Sequence, residues 1–293
     1  MKFENKILDV IGKGAEKISW MPIKFYNRFL QGNKRVVNVN LRKVGVDFNF
    51  PFCINHEKTL GSLSSELRCF GIREPINLIY YTKFITNKDI LLDVGAHFGF
   101  FSVLGQKAKE IIAVEPVEDC NSILRANLTM NGIYDKCKII HVALGDGKDV
   151  YMERNKSSNL SKVSESGDYK IKSKTLKYFA DKFNVNCIKV DIEGYEWDIF
   201  TKQKVPKGIN KIAMEFHRDL MGKEKSEQLI KALYSQGFRV KYLIEDMPLR
   251  FYPFIWFTWF LNQMTWVKRN VSLSQALKLI NEGRRVKYIY LIK

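Results

Sequence analysis

Residues 90–102 read Ile-Leu-Leu-Asp-Val-Gly-Ala-His-Phe-Gly-Phe-Phe-Ser, and no other stretch limits the possible folds so sharply. Ile90–Val94 is a short aliphatic run, the pattern of a strand buried on both faces of a parallel sheet. Gly95 ends it, and Gly99 stands four residues on, before a helix-compatible run from Phe100 to Lys109. Strand, glycine turn and helix together make the opening crossover of a nucleotide-binding α/β sheet. Glycines are needed there because the chain turns tightly and a ligand must approach backbone that a Cβ would block. A second strand, Ile111–Glu115, ends in a carboxylate 20 residues after Gly95. That is about the offset at which an acid meets ribose hydroxyls in such folds.

The spacing also selects among nucleotides. A pyrophosphate-binding loop has the pattern Gly-x-Gly-x-x-Gly, whose second glycine lets the phosphates come close. Here that place is taken by His97, and the pattern is Gly-x-x-x-Gly. The Gly-Lys-Ser or Gly-Lys-Thr of a phosphate-binding P-loop does not occur. The loop suits a nucleoside without phosphates, whose small charged end sits at a helix N-terminus. S-adenosylmethionine meets that description. A glycine pair alone is common, but Asp93, Gly95, Gly99 and Glu115 at these spacings resemble motifs I and II of the class I methyltransferases. With them, His97 and Ala143 at the end of a third strand (138–143) complete the expected cofactor contacts, because ligands of open α/β sheets sit at strand C-terminal ends.

A chain of 293 residues, 46% apolar and 13% aromatic, can bury one large core. We expect a methyltransferase domain over 51–293, preceded over 1–50 by a helix and a small hairpin. The hairpin follows from the alternation of Val37, Val39 and Leu41, then Val44, Val46, Phe48 and Phe50, with Gly45 near the turn. Lys and Arg number 48 against 31 acids, a net charge of +17. Nucleic acid, anionic lipid and phosphorylated substrates are the partner classes that fit such an excess, and a solvated basic face fits equally. Residues 1–50 hold ten basic against four acidic residues and the last 28 hold seven against one, so the charge is spread rather than gathered in a tail. Cys53, Cys69, Cys120, Cys137 and Cys187 are odd in number and form no Cys-x-x-Cys pair. That argues against zinc and a disulfide framework and for a reducing, cytoplasmic setting. Lys13 and Lys17 break the N-terminal apolar pattern, as a signal peptide would not allow.

Further along, strands are expected at 186–192, 211–215, 238–244 and 285–292, with helices over 76–84, 118–130 and 226–236. Strands alternating with helices imply a mostly parallel, doubly wound α/β sheet whose last strand is reversed. Residues 251–266 carry eight aromatics in sixteen positions, flanked by Arg250 and by Lys268-Arg269. The segment is shorter than the ~20 residues that span a bilayer. Within 250–270 it is read as a membrane-interface segment, a lid over an acceptor, or ordinary core.

Chemistry is expected where Asp191, Glu193 and Glu196 follow the fourth strand and Glu215 and His217 end the fifth. Each has a bland alternative as an ion-pair partner or helix cap; together they are better explained as a polar pocket. Leu-Asp-Val-Gly-Ala-x-x-Gly-x-x-Ser, Val-Glu-Pro, Ala-Leu-Gly, Ile-Lys-Val-Asp-Ile-Glu-Gly-x-Glu and Met-Glu-Phe-His occur in that order over about residues 66–245. This set resembles the FkbM family of S-adenosylmethionine-dependent methyltransferases, in which His97 replaces a more usual Asn. The resemblance implies methyl transfer to oxygen, with sugar hydroxyls of glycans, glycolipids or related small molecules as acceptors. Asp191, Glu215 and His217 are then the catalytic candidates, with Glu193 and Glu196 on the acceptor. A sugar hydroxyl needs a base such as His217 or Asp191, and the alternative is a divalent cation on Asp191 and Glu215. No metal ligand is assigned from the spacing alone. The rival class, an RNA methyltransferase or RNA-binding protein, rests on the +17 charge, but no Asn/Asp-Pro-Pro-Tyr motif and no separate RNA-binding domain is visible.

Overall fold

The computed structural model describes residues 36–54, 66–67, 71–152, 163–164, 169–245, 267–282 and 286–293. The expected N-terminal helix and the aromatic segment 251–266 lie outside the described residues. An antiparallel hairpin of β1 (Val36–Asn40) and β2 (Asn49–Cys53) comes first. Helix α1 (Pro75–Phe84) leads into β3 (Ile90–Val94), α2 (Phe100–Leu104), β4 (Glu110–Val114), α3 (Glu118–Met130) and β5 (Cys137–Ile140). Five short strands follow: β6 (Ala143–Leu144), β7 (Val150–Met152), β8 (Val163–Ser164), β9 (Tyr169–Ile171) and β10 (Ser173–Lys174). Next come α4 (Leu176–Phe183), β11 (Cys187–Val190), α5 (Glu196–Lys202), β12 (Lys211–Glu215) and α6 (Arg218–Ser235). The chain closes with β13 (Arg239–Glu245), β14 (Val267–Val271), α7 (Leu273–Asn281) and β15 (Val286–Ile292).

Among the described residues the central sheet has the order β14-β13-β15-β12-β11-β3-β4-β5. Strands β12, β11, β3, β4 and β5 are mutually parallel. β15 runs against both neighbours, β12 and β13, so the last strand is reversed, and the edge strand β14 runs against β13 as well. The fold is the expected doubly wound α/β sheet. Alternation along each strand splits the core into two layers. Leu91, Ile111, Cys187 and Tyr290 face the layer built with the hairpin, α1, α2 and α3. Leu92, Ile112, Ile188 and Leu291 face the layer built with α4, α5, α6 and α7.

Several boundaries depart from the sequence expectation, among them the helix expected over 226–236, which spans Arg218–Ser235, and the strand expected at 186–192, which spans Cys187–Val190. The third strand stops at Ile140, and Ala143–Leu144 swings out to pair with β10. The helix after Gly99 spans only Phe100–Leu104, capped by Gly105. β14, the edge strand beside β13, was not expected, because only its ends Val267 and Val271 are buried and Lys-Arg-Asn between them shows no apolar alternation. It takes four residues, 267–270, of the stretch assigned to the aromatic segment at 250–270.

Candidate active site

Register decides which residues meet. Val94 pairs with Val114 on one side and Val190 on the other, and Val190 pairs with Met214. The residues one step on, Glu115, Gly95, Asp191 and Glu215, therefore form a row across four adjacent parallel strands. That row is the C-terminal edge of the sheet, where such folds bind ligands.

The first half of the row is the glycine loop. Gly95, His97 and Gly99 all have positive φ, at 71°, 50° and 84°. A Cβ built on Gly95 would lie 1.9 Å from the Asp191 carbonyl oxygen, and one on Gly99 would lie 2.5 Å from Leu124 Cδ1. Close packing on the Asp191 backbone thus requires glycine at 95, where the sequence suggested ligand approach, while at 99 the left-handed backbone is what favours it. Glu115 is 4% exposed; its Oε2 accepts the His97 N–H at 2.7 Å and its Oε1 the Val117 N–H at 2.8 Å. Burial outweighs these two bonds and pushes the carboxyl up to about 7. His97 is half-buried, stacks on Phe98, and burial together with Arg73 pushes its imidazole down, so it is neutral. Asp93 is wholly buried and accepts the Ser102 hydroxyl at 2.6 Å, which fastens β3 to α2. Ala143 packs with Ile171 against Val117.

The second half is an imidazole ringed by acids. His217 Nδ1 lies 2.8 Å from Glu196 Oε1. Its Nε2 lies 3.6 Å from Glu193 Oε2, 3.7 Å from Asp191 Oδ1 and 3.9 Å from Glu215 Oε1. Burial opposes a charged ring, but the Glu196 hydrogen bond and the surrounding carboxylates push His217 up to about 10. Burial and the charge of Asp191 push Glu215 up to about 8. Asp191 is pulled below its ordinary value, since Lys189 and His217 more than offset burial. One expectation fails here: Glu196 has no exposed surface to offer an acceptor. It sits at the start of α5, behind His217, where its Oε1 is hydrogen-bonded to the imidazole Nδ1.

The Methyltransferase FkbM domain matches residues 93–240, half of the chain, and spans both halves of this row. The chain belongs to the FkbM methyltransferase family. It is a methyltransferase, and the family's methyl donor is S-adenosylmethionine. No curated protein sequence matches the chain. Among solved structures, methyltransferase FkbM from Methylobacillus flagellatus KT is 13% identical with a TM-score of 0.39, covering 78% of this chain and 53% of that one. The chain thus spans about half the length of that protein. A protein of the NADB-Rossmann superfamily from Streptococcus agalactiae is 13% identical (TM-score 0.42), covering 75% of this chain and 69% of that chain. TrmK of M. capricolum, in complex with S-adenosylhomocysteine, is likewise 13% identical (TM-score 0.41), with 74% and 67% covered.

The FkbM chain's loop fits a nucleoside donor. Both Glu115 oxygens are held by backbone amides yet keep a second lone pair each, which suits them to accept ribose hydroxyls. Several charged neighbours of the row were not foreseen. Lys189, 5% exposed, reaches Asp93 Oδ1 and Asp191 Oδ2 at 3.5 Å each and donates to the Gly95 carbonyl at 3.2 Å. Its signal was a lone lysine inside the apolar 187–190 run, since a buried ammonium needs acids around it. Lys287 lies 3.9 Å from Glu215 and 3.5 Å from Glu74, which Arg73 pairs at 2.7 Å. Lys287 was legible only once β15 was known to be reversed, which brings its first residues to the end of β12.

Proposed function

We propose that this chain methylates a hydroxyl oxygen, and that the acceptor is a sugar of a glycan, glycolipid or related small molecule. The observation that supports this most is the contact between the two halves of the row. Gly95 lies against Asp191, and Lys189 spans Asp93, Gly95 and Asp191. A donor held at the glycine loop is then beside the acid–imidazole cluster.

S-adenosylmethionine supplies a methyl group already activated by its sulfonium. The protein's task is to position the acceptor and accept its proton. Asp191, which Lys189 and His217 hold ionised, is suited to take the proton, Glu215 and His217 line the same place, and Glu193, half-buried at the rim, is suited to the acceptor's other hydroxyls. The resemblance to FkbM enzymes favours sugars among possible hydroxyls.

The test is a transfer assay with sugar nucleotides and glycolipids as acceptors. Asp191→Asn and His217→Ala should each lower turnover roughly 10²–10⁴-fold, the scale of general acid–base catalysis. Affinity for S-adenosylhomocysteine should stay within about threefold, since neither side chain belongs to the glycine loop. Undiminished turnover in both variants sinks the assignment. The charge of +17 motivates one rival arm. Methylation of structured RNA, with binding that falls steeply as salt rises, would replace the sugar reading.

A further inference from the structure

We propose that Asp191, Glu215 and His217 bind one divalent cation of the Mg²⁺ or Mn²⁺ class, an inference that rests on the hydroxyl-methylation reading above. One ligand atom from each residue lies within 4.8 Å of the other two. The measured gaps, 3.7 Å from His217 Nε2 to Asp191 Oδ1 and 3.9 Å to Glu215 Oε1, are too long for hydrogen bonds. The three groups face one another across a space instead of closing on it. An ion centred in such a triangle sits roughly 2.2–2.5 Å from each donor, within the range for hard divalent cations.

A second observation comes from behind the histidine. Glu196 is fully buried, its Oε1 takes His217 Nδ1 at 2.8 Å, and its Oε2 has no hydrogen-bond partner among the described residues. Burying a carboxylate with an oxygen unpaired is costly. The cost is understandable if that carboxylate fixes the ring so that Nε2 faces the two acids. A carboxylate hydrogen-bonded to the outer nitrogen of a ligating histidine is a recurrent support for metal sites. The scaffold is stiff as well, for Asp191 and Glu215 leave adjacent parallel strands paired through Val190 and Met214.

The ligand set names the class of ion. Two carboxylate oxygens and one imidazole suit Mg²⁺ or Mn²⁺, whereas structural zinc takes four Cys or His ligands. Three protein ligands leave positions open for the acceptor hydroxyl. A hydroxyl on such a cation would be acidified, and the Glu193 carboxylate, whose Oε2 lies 3.6 Å from His217 Nε2, would take its proton in place of the role given above to Asp191. The oxygen lone pair forms the new O–C bond, while the C–S bond breaks with its electrons going to sulfur. A methyl ether, a neutral sulfide and one proton result, and the cation is unchanged.

The experiment is a Mn²⁺ titration of the full chain after chelator treatment, followed by electron paramagnetic resonance and calorimetry. We expect one saturable site per chain, with Asp191→Asn and Glu215→Gln each weakening it at least tenfold. Glu196→Gln should weaken it roughly 10–100-fold, the usual worth of such support. Absence of saturable binding, or binding indifferent to these changes, overturns the proposal. Should the variants misfold, the wild-type protein still decides. Nitrogen-14 modulation of the bound Mn²⁺ signal requires a histidine ligand, and its absence refutes the site. S-adenosylhomocysteine titration is run separately. Its failure would count against the cofactor reading and leave the metal result standing on its own.

Discussion

Glu115 is a carboxylate whose orientation is fixed before any ligand arrives, since the His97 and Val117 amides hold one oxygen each. Its carboxyl, ordinarily near 4.5, titrates at about 7 because burial penalises the charge. Relative to the unfolded chain, this group's contribution to stability is present below pH 4.5 and is lost as pH rises through 7. A ligand that donates ribose hydroxyls to the ionised form reverses that preference. Affinity for S-adenosylhomocysteine should therefore climb roughly tenfold between pH 6 and pH 8, then level off. Glu115→Gln should flatten the profile, and Glu115→Ala should lose about 1.5–3 kcal/mol of affinity, the scale of hydrogen bonds to a charged group. Calorimetry across that pH range is the measurement. Parallel profiles in wild type and Glu115→Gln would remove Glu115 from the ribose.

At the scale of elements, the turn between β3 and α2 shows what a glycine does here. Gly95 and Gly132 share a left-handed backbone, with φ of 71° and 65°, but a Cβ meets nothing within 4 Å at Gly132 and a carbonyl oxygen at 1.9 Å at Gly95. Gly132→Ala should cost about 1–2 kcal/mol, the backbone strain alone. Gly95→Ala adds a clash that neither strand can relieve, so its urea midpoint should fall well below that of Gly132→Ala and nucleoside binding should vanish. Equal midpoints would mean that β3 and β11 do not approach as described. The elements that were legible in advance are those whose pattern is strong over their whole length, such as β3, β12 and α3, whose bounds match residue for residue. Those that were missed depend on partners distant in sequence. β14 is a strand only because β13 pairs with it; α2 is the exception, ending early for a local reason, the Gly105 cap. The cluster around His217 was legible as a convergence of strand ends, while the place of Glu196 behind the ring was not, because helix phase after the turn at Glu193 and Gly194 decides it.

Over the molecule as described, the hairpin is tied to the glycine loop through Asn127. Asn127 on α3, fully buried, accepts the Cys53 N–H at 2.6 Å and donates to the Cys53 carbonyl at 3.1 Å and to the Phe98 carbonyl at 2.8 Å. Phe50 and Phe52 of β2 pack on Phe100 at the start of α2, with ring centroids 5.9 and 5.3 Å apart. The hairpin therefore leans on the same turn that presents Gly95–Gly99, and a boundary drawn at residue 50 cuts through β2. Asn127→Ala removes three hydrogen bonds to backbone groups in a buried place, which should cost roughly 2–4 kcal/mol of stability. Asn131→Ala, which loses its bond to the Pro51 carbonyl at an exposed position, should cost under about 1 kcal/mol. Because Phe98 sits inside the donor loop, Asn127→Ala should also weaken S-adenosylhomocysteine binding at a temperature where the variant remains folded. If stability falls while affinity holds, the hairpin braces α3 alone. If both fall together, contacts made by the hairpin shape the glycine loop, and residues 36–54 belong to the same folded unit as the site.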